Sequence, residues 1–208
     1  MNWPTIRQMR EWAQLAPLRF QDPELRWLEG INEANVLYYR WLYRAAEFMQ
    51  PAIALELGVC RAQASAHIAP GAGVMIGVDI QPWEPDFSRN VEAMKERGLD
   101  YRFIRGSSGE PETVRKVTEI LQQGNWLIGL LFIDTIHTYN QAMGEFRCYR
   151  HLLAPGALVV MDDILDPPDE VYRAFQEIPG EHLEMNELHI AGRGSVGFGA
   201  VIYQAEVA

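Results

Sequence analysis

The chain has 208 residues, 48% hydrophobic and 22% charged, with a formal net charge of −10; this suits one domain with a sizeable core and excludes a chain dominated by disorder. The negative balance disfavours a nucleic-acid partner, whose affinity rests on Lys and Arg displacing counterions from phosphates. No apolar run reaches the ~18 residues of a membrane span, and Met1-Asn2-Trp3-Pro4 opens no basic-then-apolar leader, so no membrane partner is expected and the default compartment is the cytoplasm.

Thr5 to about Gln50 carries apolar residues at spacings of three and four, which predicts helices, with Asp22-Pro23 and Gly30 dividing them into two or three. Residues 1–50 therefore read as an N-terminal helical cap. Its aromatic residues, among them Trp12, Trp27, Tyr38, Tyr39, Trp41 and Tyr43, suit core packing, a contact between copies of the chain, or the lining of a substrate pocket.

After Pro51 the pattern alternates between strand-like and helix-like segments, the signature of an α/β sheet built from crossovers over residues 51–208. Strands are expected near Ala52 to Leu57, Val74 to Asp79, Tyr101 to Arg105, Trp126 to Asp134 and Ala157 to Asp162. A helix from about Tyr139 to Leu153 should stop at Ala154-Pro155-Gly156, where Pro and Gly cannot continue it. Ile164 to Asp169 reads as a loop and Val171 to Ile178 as a further helix. Two last strands, Leu183 to Ala191 and Gly197 to Gln204, are joined by too few residues for a parallel crossover and should form an antiparallel hairpin.

Glu56-Leu57-Gly58-Val59-Cys60-Arg61-Ala62 falls at the first strand-to-helix turn. A glycine there lets backbone approach a ligand, and a helix N-terminus favours a negative group. Asp79 ends the second strand, placed to accept hydrogen bonds from a ribose diol. An NAD-dependent oxidoreductase would want G-x-G-x-x-G here for its pyrophosphate, whereas this loop has Cys60 and Gln63 at the later glycine positions. The literal G-x-G-x-x-G at Gly192, Gly194 and Gly197 precedes the strand-like Phe198 to Tyr203 and not a helix, so it reads as a turn. Cys60 and Cys148 form no CxxC and read as small buried hydrophobes.

Two apolar runs end in carboxylates. Leu130 to Ile133 delivers Asp134, with His137 three residues on, and Leu158 to Met161 delivers Asp162 and Asp163. Parallel strands would open these ends into one crevice. Hard oxygen donors there suit a divalent cation such as Mg²⁺, bound by Asp134, Asp162 and Asp163. His137 is the general-base candidate, because its ordinary pKa lies near neutrality. The plain alternatives are a helix N-cap for Asp134, a turn cap for Asp162-Asp163 and a loop histidine for His137. His67, His151, His182 and His189 carry no motif and read as structural.

Glu56-Leu57-Gly58, Gly77-Val78-Asp79 and Leu131-Phe132-Ile133-Asp134 together resemble motifs of the class I S-adenosylmethionine-dependent methyltransferases, over about Ala52 to Tyr203. Ile133-Asp134-Thr135-Ile136-His137-Thr138-Tyr139, Leu153-Ala154-Pro155-Gly156-Ala157 and Met161-Asp162-Asp163 narrow the resemblance to the metal-assisted small-molecule O-methyltransferases, the branch of macrolide-sugar methyltransferases and proteins named cephalosporin hydroxylases.

The resemblance implies a Rossmann-like, doubly wound, mostly parallel sheet. It places the cofactor's amino-acid end at Gly58 with Glu56, its ribose at Asp79 with Ile80, its adenine at Gly106, Ser107 and Ser108, and Asp134 beside the methyl donor. Where the family often has further glycines, this chain has Ala62 and Gln63. Implied is an O-methyltransferase using S-adenosylmethionine and Mg²⁺, or another divalent cation, on a hydroxylated small molecule such as a sugar or phenolic natural product. The rivals are the NAD-dependent oxidoreductase and a non-catalytic S-adenosylmethionine-binding protein on the same fold. The iron-binding His-His-carboxylate set of a non-haem oxygenase is not visible in the sequence.

Overall fold

The computed structural model describes residues 2–31, 37–166, 170–191 and 194–205. Three helices come first, α1 (Ile6–Leu15), α2 (Arg26–Ile31) and α3 (Tyr38–Met49). Strands and helices then alternate: β1 (Ile53–Leu57), α4 (Gln63–Ile68), β2 (Val74–Asp79), α5 (Asp86–Lys95), β3 (Tyr101–Arg105), α6 (Pro111–Gly124), β4 (Ile128–Ile133), α7 (Tyr139–Tyr149), β5 (Leu153–Asp162) and α8 (Glu170–Glu177). The chain ends with β6 (Gly180–Glu184), β7 (Ile190–Ala191), β8 (Gly194–Ser195) and β9 (Phe198–Tyr203). Among the described residues, no helix is long and apolar enough to cross a membrane.

The main sheet has seven strands in the order β3-β2-β1-β4-β5-β9-β6. β1 to β5 are parallel, and β9 runs antiparallel to both β5 and β6. Because β1 pairs with β2 on one side and β4 on the other, the chain winds outward, returns, and winds out the other way. The carboxyl ends of β1 and β4 therefore form a topological switch point, where open α/β sheets hold ligands.

Alternate strand residues face two layers. Ala54, Met75, Leu130, Phe132, Leu158, Val160 and Phe198 pack in one core with the N-terminal helices and α4, while Ile53, Leu55, Leu57, Leu131, Val159 and Met161 pack in the other with α6, α7 and α8. Burial on both faces explains why these strands read as continuous apolar runs. α1 is started by a capping box between Thr5 and Gln8. The cap aromatics are core: Trp41 is fully buried, its indole N–H donates to the Met9 carbonyl at 3.0 Å, and Tyr38 stacks on Phe198 with ring centres 4.8 Å apart.

The structure corrects several local expectations. Gly30 is the next-to-last residue of α2, and the next described helix begins at Tyr38. The helix expected to reach Leu153 ends as α-helix at Tyr149 and continues as a 3-10 turn through Arg150–Leu152, and Ala154-Pro155-Gly156 lies inside β5, where the pairing with β4 jumps from Ile128↔Leu153 to Leu130↔Leu158. A bulge accommodates Pro and Gly in a strand. The last antiparallel pair is β6 with β9; the expected strand from Leu183 to Ala191 is broken by a 3-10 turn at Asn186–Leu188, and β7 pairs instead with β8. That short ribbon flanks the literal G-x-G-x-x-G, whose Gly192 lies outside the described residues. Neither cysteine is fully buried: Cys60 is exposed and Cys148 intermediate.

Candidate active site

The loop after β1 has the path of a glycine-rich loop with only one of its glycines. Gly58 adopts φ +88°, and a Cβ there would lie 1.7 Å from the carbonyl oxygen of Asp134. Cys60 and Ala62 also take left-handed φ values, 50° and 59°, each at a cost of about 1 kcal/mol or more for a side-chain-bearing residue. Hydrogen bonds hold them there. The Cys60 N–H donates to Asp79 Oδ2 at 2.8 Å, Gly58 N–H to the Val78 carbonyl at 2.9 Å, and Ala62 N–H to the Val59 carbonyl at 2.8 Å. Ala62, one of the two residues standing where the family often has further glycines, thus takes a glycine-like conformation. Gln63 already belongs to α4 and ties back to the cap, donating to the Ile31 carbonyl at 2.8 Å and accepting from the Tyr39 hydroxyl at 3.2 Å.

Asp79 braces this loop from β2. Its second oxygen, Oδ1, accepts from the Gln81 N–H at 2.7 Å, so the carboxylate is fixed at the cavity edge. Glu56 is buried and accepts a short hydrogen bond from the Ser65 hydroxyl. Burial pushes its carboxyl well above the usual range, against the Ser65 bond and with help from the nearby Asp134 and Asp79 charges.

Two cavities meet at this loop. The first, about 320 Å³, is lined by Gly58, Asp79, Ile80, Gly106, Ser107, Ser108, Asp134 and neighbours including Ile136 and Gln141. The second, about 260 Å³, is lined by Tyr39, Glu56, Cys60, Arg61, Gln63, Trp83 and Asp134 among others. Cys60 and Asp134 border both. Of the residues expected to hold a cofactor, Gly58, Asp79, Ile80, Gly106, Ser107, Ser108 and Asp134 share the first cavity, and Glu56 lies in the second. Ile80 and Ile136 are each 65% exposed, leaving an apolar rim on the first cavity. Trp83 lines the second under the Arg61 guanidinium, whereas Tyr139 lines neither: its hydroxyl donates to Glu177 and Arg173 covers its ring.

Beyond Asp134 stands a cluster of carboxylates and imidazoles. His137 Nε2 lies 3.0 Å from Asp163 Oδ2 and 3.8 Å from Asp134 Oδ1. His189 Nδ1 lies 2.7 Å from Asp162 Oδ1 and 3.6 Å from Asp163 Oδ1. Donor atoms close enough to share a cation form two groups among the described residues, Asp134-His137-Asp163 and Asp162-Asp163-His189. The three carboxylates expected to bind metal together are thus divided between two histidines, with Asp163 common to both. Asp163 has φ +51°, an uncommon conformation for a non-glycine residue. The capping role for Asp134 is not seen, because Thr138 caps α7, its hydroxyl accepting from the Gln141 N–H.

The charges in this cluster perturb one another. Burial and the neighbouring Asp162 charge push the Asp134 carboxyl up to about 6, and the same two causes push Asp163 up to about 7. The neighbouring carboxylates of Asp134, Asp163 and Asp162 raise the His137 imidazole above its ordinary value despite its burial. For His189, burial acts downward but is outweighed by the Asp162 hydrogen bond and the surrounding carboxylates. His189 was read as structural from the sequence; 27 positions separate it from Asp162, and only the fold brings them together.

Comparisons with known proteins agree with this geometry. A family model described as a methyltransferase domain matches residues 55–164, from β1 through the acidic turn after β5. No curated protein matches the chain in sequence. Among solved structures, the cofactor-bound Rv0187 from MTB is 17% identical with a TM-score of 0.65, covering 98% of this chain and 100% of that one. The O-methyltransferase TomG from Streptomyces achromogenes, involved in tomaymycin synthesis and in complex with SAM, is 17% identical with a TM-score of 0.57, covering 99% and 93%. CalS11, a TDP-rhamnose 3'-O-methyltransferase of calicheamicin biosynthesis, is 14% identical with a TM-score of 0.58, covering 96% and 94%. With the family matched over more than half of its length, the chain belongs to the methyltransferase-domain family, among the class I S-adenosylmethionine-dependent methyltransferases.

Proposed function

We propose that this protein methylates a hydroxyl oxygen of a small molecule, a sugar or phenolic natural product, with S-adenosylmethionine as donor and a divalent cation at the carboxylate–histidine cluster. The observation that carries the reading is the position of Asp134, which borders both cavities and reaches toward His137 in the acidic cluster. A donor site and an acceptor site meet there.

The first cavity fits the nucleoside half of the donor. Asp79 offers carboxylate oxygens to a ribose diol, and Ile80 and Ile136 offer apolar contact to a flat base. The second cavity, across the Gly58–Cys60 backbone, takes the amino-acid half. The bound cofactor supplies an activated methyl group on a sulfonium, whose transfer needs little beyond alignment with the attacking oxygen.

The donor set also fits a cation. Three carboxylates crowd two adjacent strand ends, a charge arrangement that a divalent ion would relieve, and the imidazoles widen the choice from Mg²⁺ to ions such as Mn²⁺. Asp163, common to both donor groups, would hold it together with Asp134 or with Asp162. Once bound, the ion would lower the pKa of a coordinated hydroxyl. His137, beside Asp163 at 3.0 Å, takes the proton released by the acceptor hydroxyl.

Calorimetric titration with S-adenosylmethionine and S-adenosylhomocysteine tests the donor assignment, and absence of binding for both would sink it. Methyl transfer to a panel of hydroxylated sugars and phenols, with and without chelator, tests acceptor class and cation need separately. Binding without turnover across the panel favours the non-catalytic alternative. Copies of the chain associating through the N-terminal helices would appear as a dimer mass in solution.

A further inference from the structure

One wall of the first cavity rests on a buried carboxylate that methyl transfer does not use. Glu145, on α7, is 1% exposed. It accepts hydrogen bonds from the Ser108 hydroxyl, from Thr135 Oγ1 at 2.8 Å and from Gln141 Nε2 at 2.7 Å. These donors come from three segments, the turn after β3, the turn after β4 and the first turn of α7, and all three residues line the cavity. The Tyr149 hydroxyl, also from α7, ties down the Ser108 carbonyl at 2.8 Å.

Three donors converge on the Glu145 oxygens, which therefore act as acceptors and dictate the orientation of the groups they meet. The hydroxyl hydrogens of Ser108 and Thr135 point to Glu145. The Gln141 amide is turned the same way: its NH₂ faces Glu145, with Ser108 Oγ at 3.4 Å, and its Oε1 accepts no side-chain or backbone hydrogen bond among the described residues. An amide presents opposite chemistry at its two ends, and the surrounding hydrogen bonds settle which end is which.

We propose that Gln141, held by Glu145, selects the base of the nucleoside: its Oε1 accepts a hydrogen bond from the exocyclic amine of adenine and rejects a 6-oxo purine. The inference rests on the assignment of this cavity to the nucleoside half of the cofactor. An oxo group in place of the amine would set two acceptors against each other, and a site built to receive a donor penalises an analogue lacking it far more than an apolar pocket penalises a change in size. Gln141 is the contact, and Glu145 is a positioning residue that acts through it.

The test is calorimetric binding of S-adenosylhomocysteine and its 6-oxo counterpart, S-inosylhomocysteine. The wild type should prefer the adenosyl compound by about tenfold or more. Gln141→Leu should abolish that preference while still binding both compounds. Glu145→Gln should go further: a donor at position 145 lets the Gln141 amide turn over and present NH₂, so the inosyl compound should gain affinity in absolute terms. A residue with only a packing role would not produce that gain. If Glu145→Gln does not fold, Gln141→Leu decides alone. Equal binding of the two compounds by the wild type, or an unchanged preference in Gln141→Leu, overturns the proposal. If the wild type binds neither compound, the nucleoside assignment itself falls and takes this inference with it.

Discussion

The two sides of Asp134 solve different physical problems. On the side of β1 and β2, the candidate site is built from backbone: Gly58, Cys60 and Ala62 at positive φ, locked by main-chain hydrogen bonds and by one carboxylate, Asp79. On the side of β4 and β5, it is built from charge, with three carboxylates and two imidazoles arranged by strand ends and by the segment after β6. The first side depends on space and strain, the second on solvent and pH. Substitutions should therefore affect the former through shape, while titration and cations should affect the latter.

The contrast is broken most severely at Gly58. In Gly58→Ala the new Cβ collides with the Asp134 carbonyl at a φ that suits only glycine, and a loss of about 3 kcal/mol or more is expected with loss of cofactor binding. Denaturant titration and calorimetry check both; near-wild-type stability would show that the β1–β4 seam can part.

The two sides should also respond to acid with opposite sign. On the loop side, His67 of α4 is fully buried, its Nδ1 faces the Gln63 carbonyl at 2.8 Å, and burial depresses its pKa from 6.5 to about 4. The unfolded chain binds that proton first, so stability is lost as pH falls through 6.5 toward 4, by about 3 kcal/mol at ~1.4 kcal/mol per pH unit. His67→Leu should flatten this loss in denaturant titrations at pH 7 and 4.5. In the acidic cluster, Asp134 and Asp163 are raised, so the folded, cation-free state binds protons first and gains stability as pH falls from about 7 toward 4.

That opposition predicts a third effect. A divalent cation should stabilise the protein at pH 7.5 by about 2–3 kcal/mol at a hundredfold excess over its dissociation constant. It should do so much less at pH 5.5, where protons compete for Asp134 and Asp163. Asp163→Asn removes the residue common to both donor groups and should erase the thermal shift. A shift that persists in that variant places the ion elsewhere.

The smallest effect tests whether strain in the loop is tolerated or used. Cys60→Gly should relieve a left-handed side-chain-bearing residue and change stability by less than about 1 kcal/mol, because the added flexibility of the unfolded chain offsets part of the gain. Cofactor affinity measured alongside shows whether the missing glycine matters to binding.

The legibility of the molecule follows the same divide. Parallel strands buried on both faces leave apolar runs that end at one edge of the sheet, so Asp79, Asp134, Asp162 and Asp163 could be placed from sequence. His137 came with Asp134 at fixed spacing. His189 did not, because its approach to Asp162 depends on the return of the chain through β6 and a 3-10 turn. Glu145 looks like any polar helical residue until α7 is packed, and only then do three donors from separate segments converge on it. Pro155 and Gly156 misled for a related reason: a bulge in a strand and the end of a helix use the same residues.

The two sides join main chain to main chain: the Asp134 N–H donates to the Leu57 carbonyl at 2.9 Å, and the Asp134 carbonyl leaves no room for a Cβ at Gly58. No exchange of side chain at Asp134 removes that seam. Exchanges of side chain on either flank can therefore alter shape on one side and charge on the other while this main-chain joint stays in place.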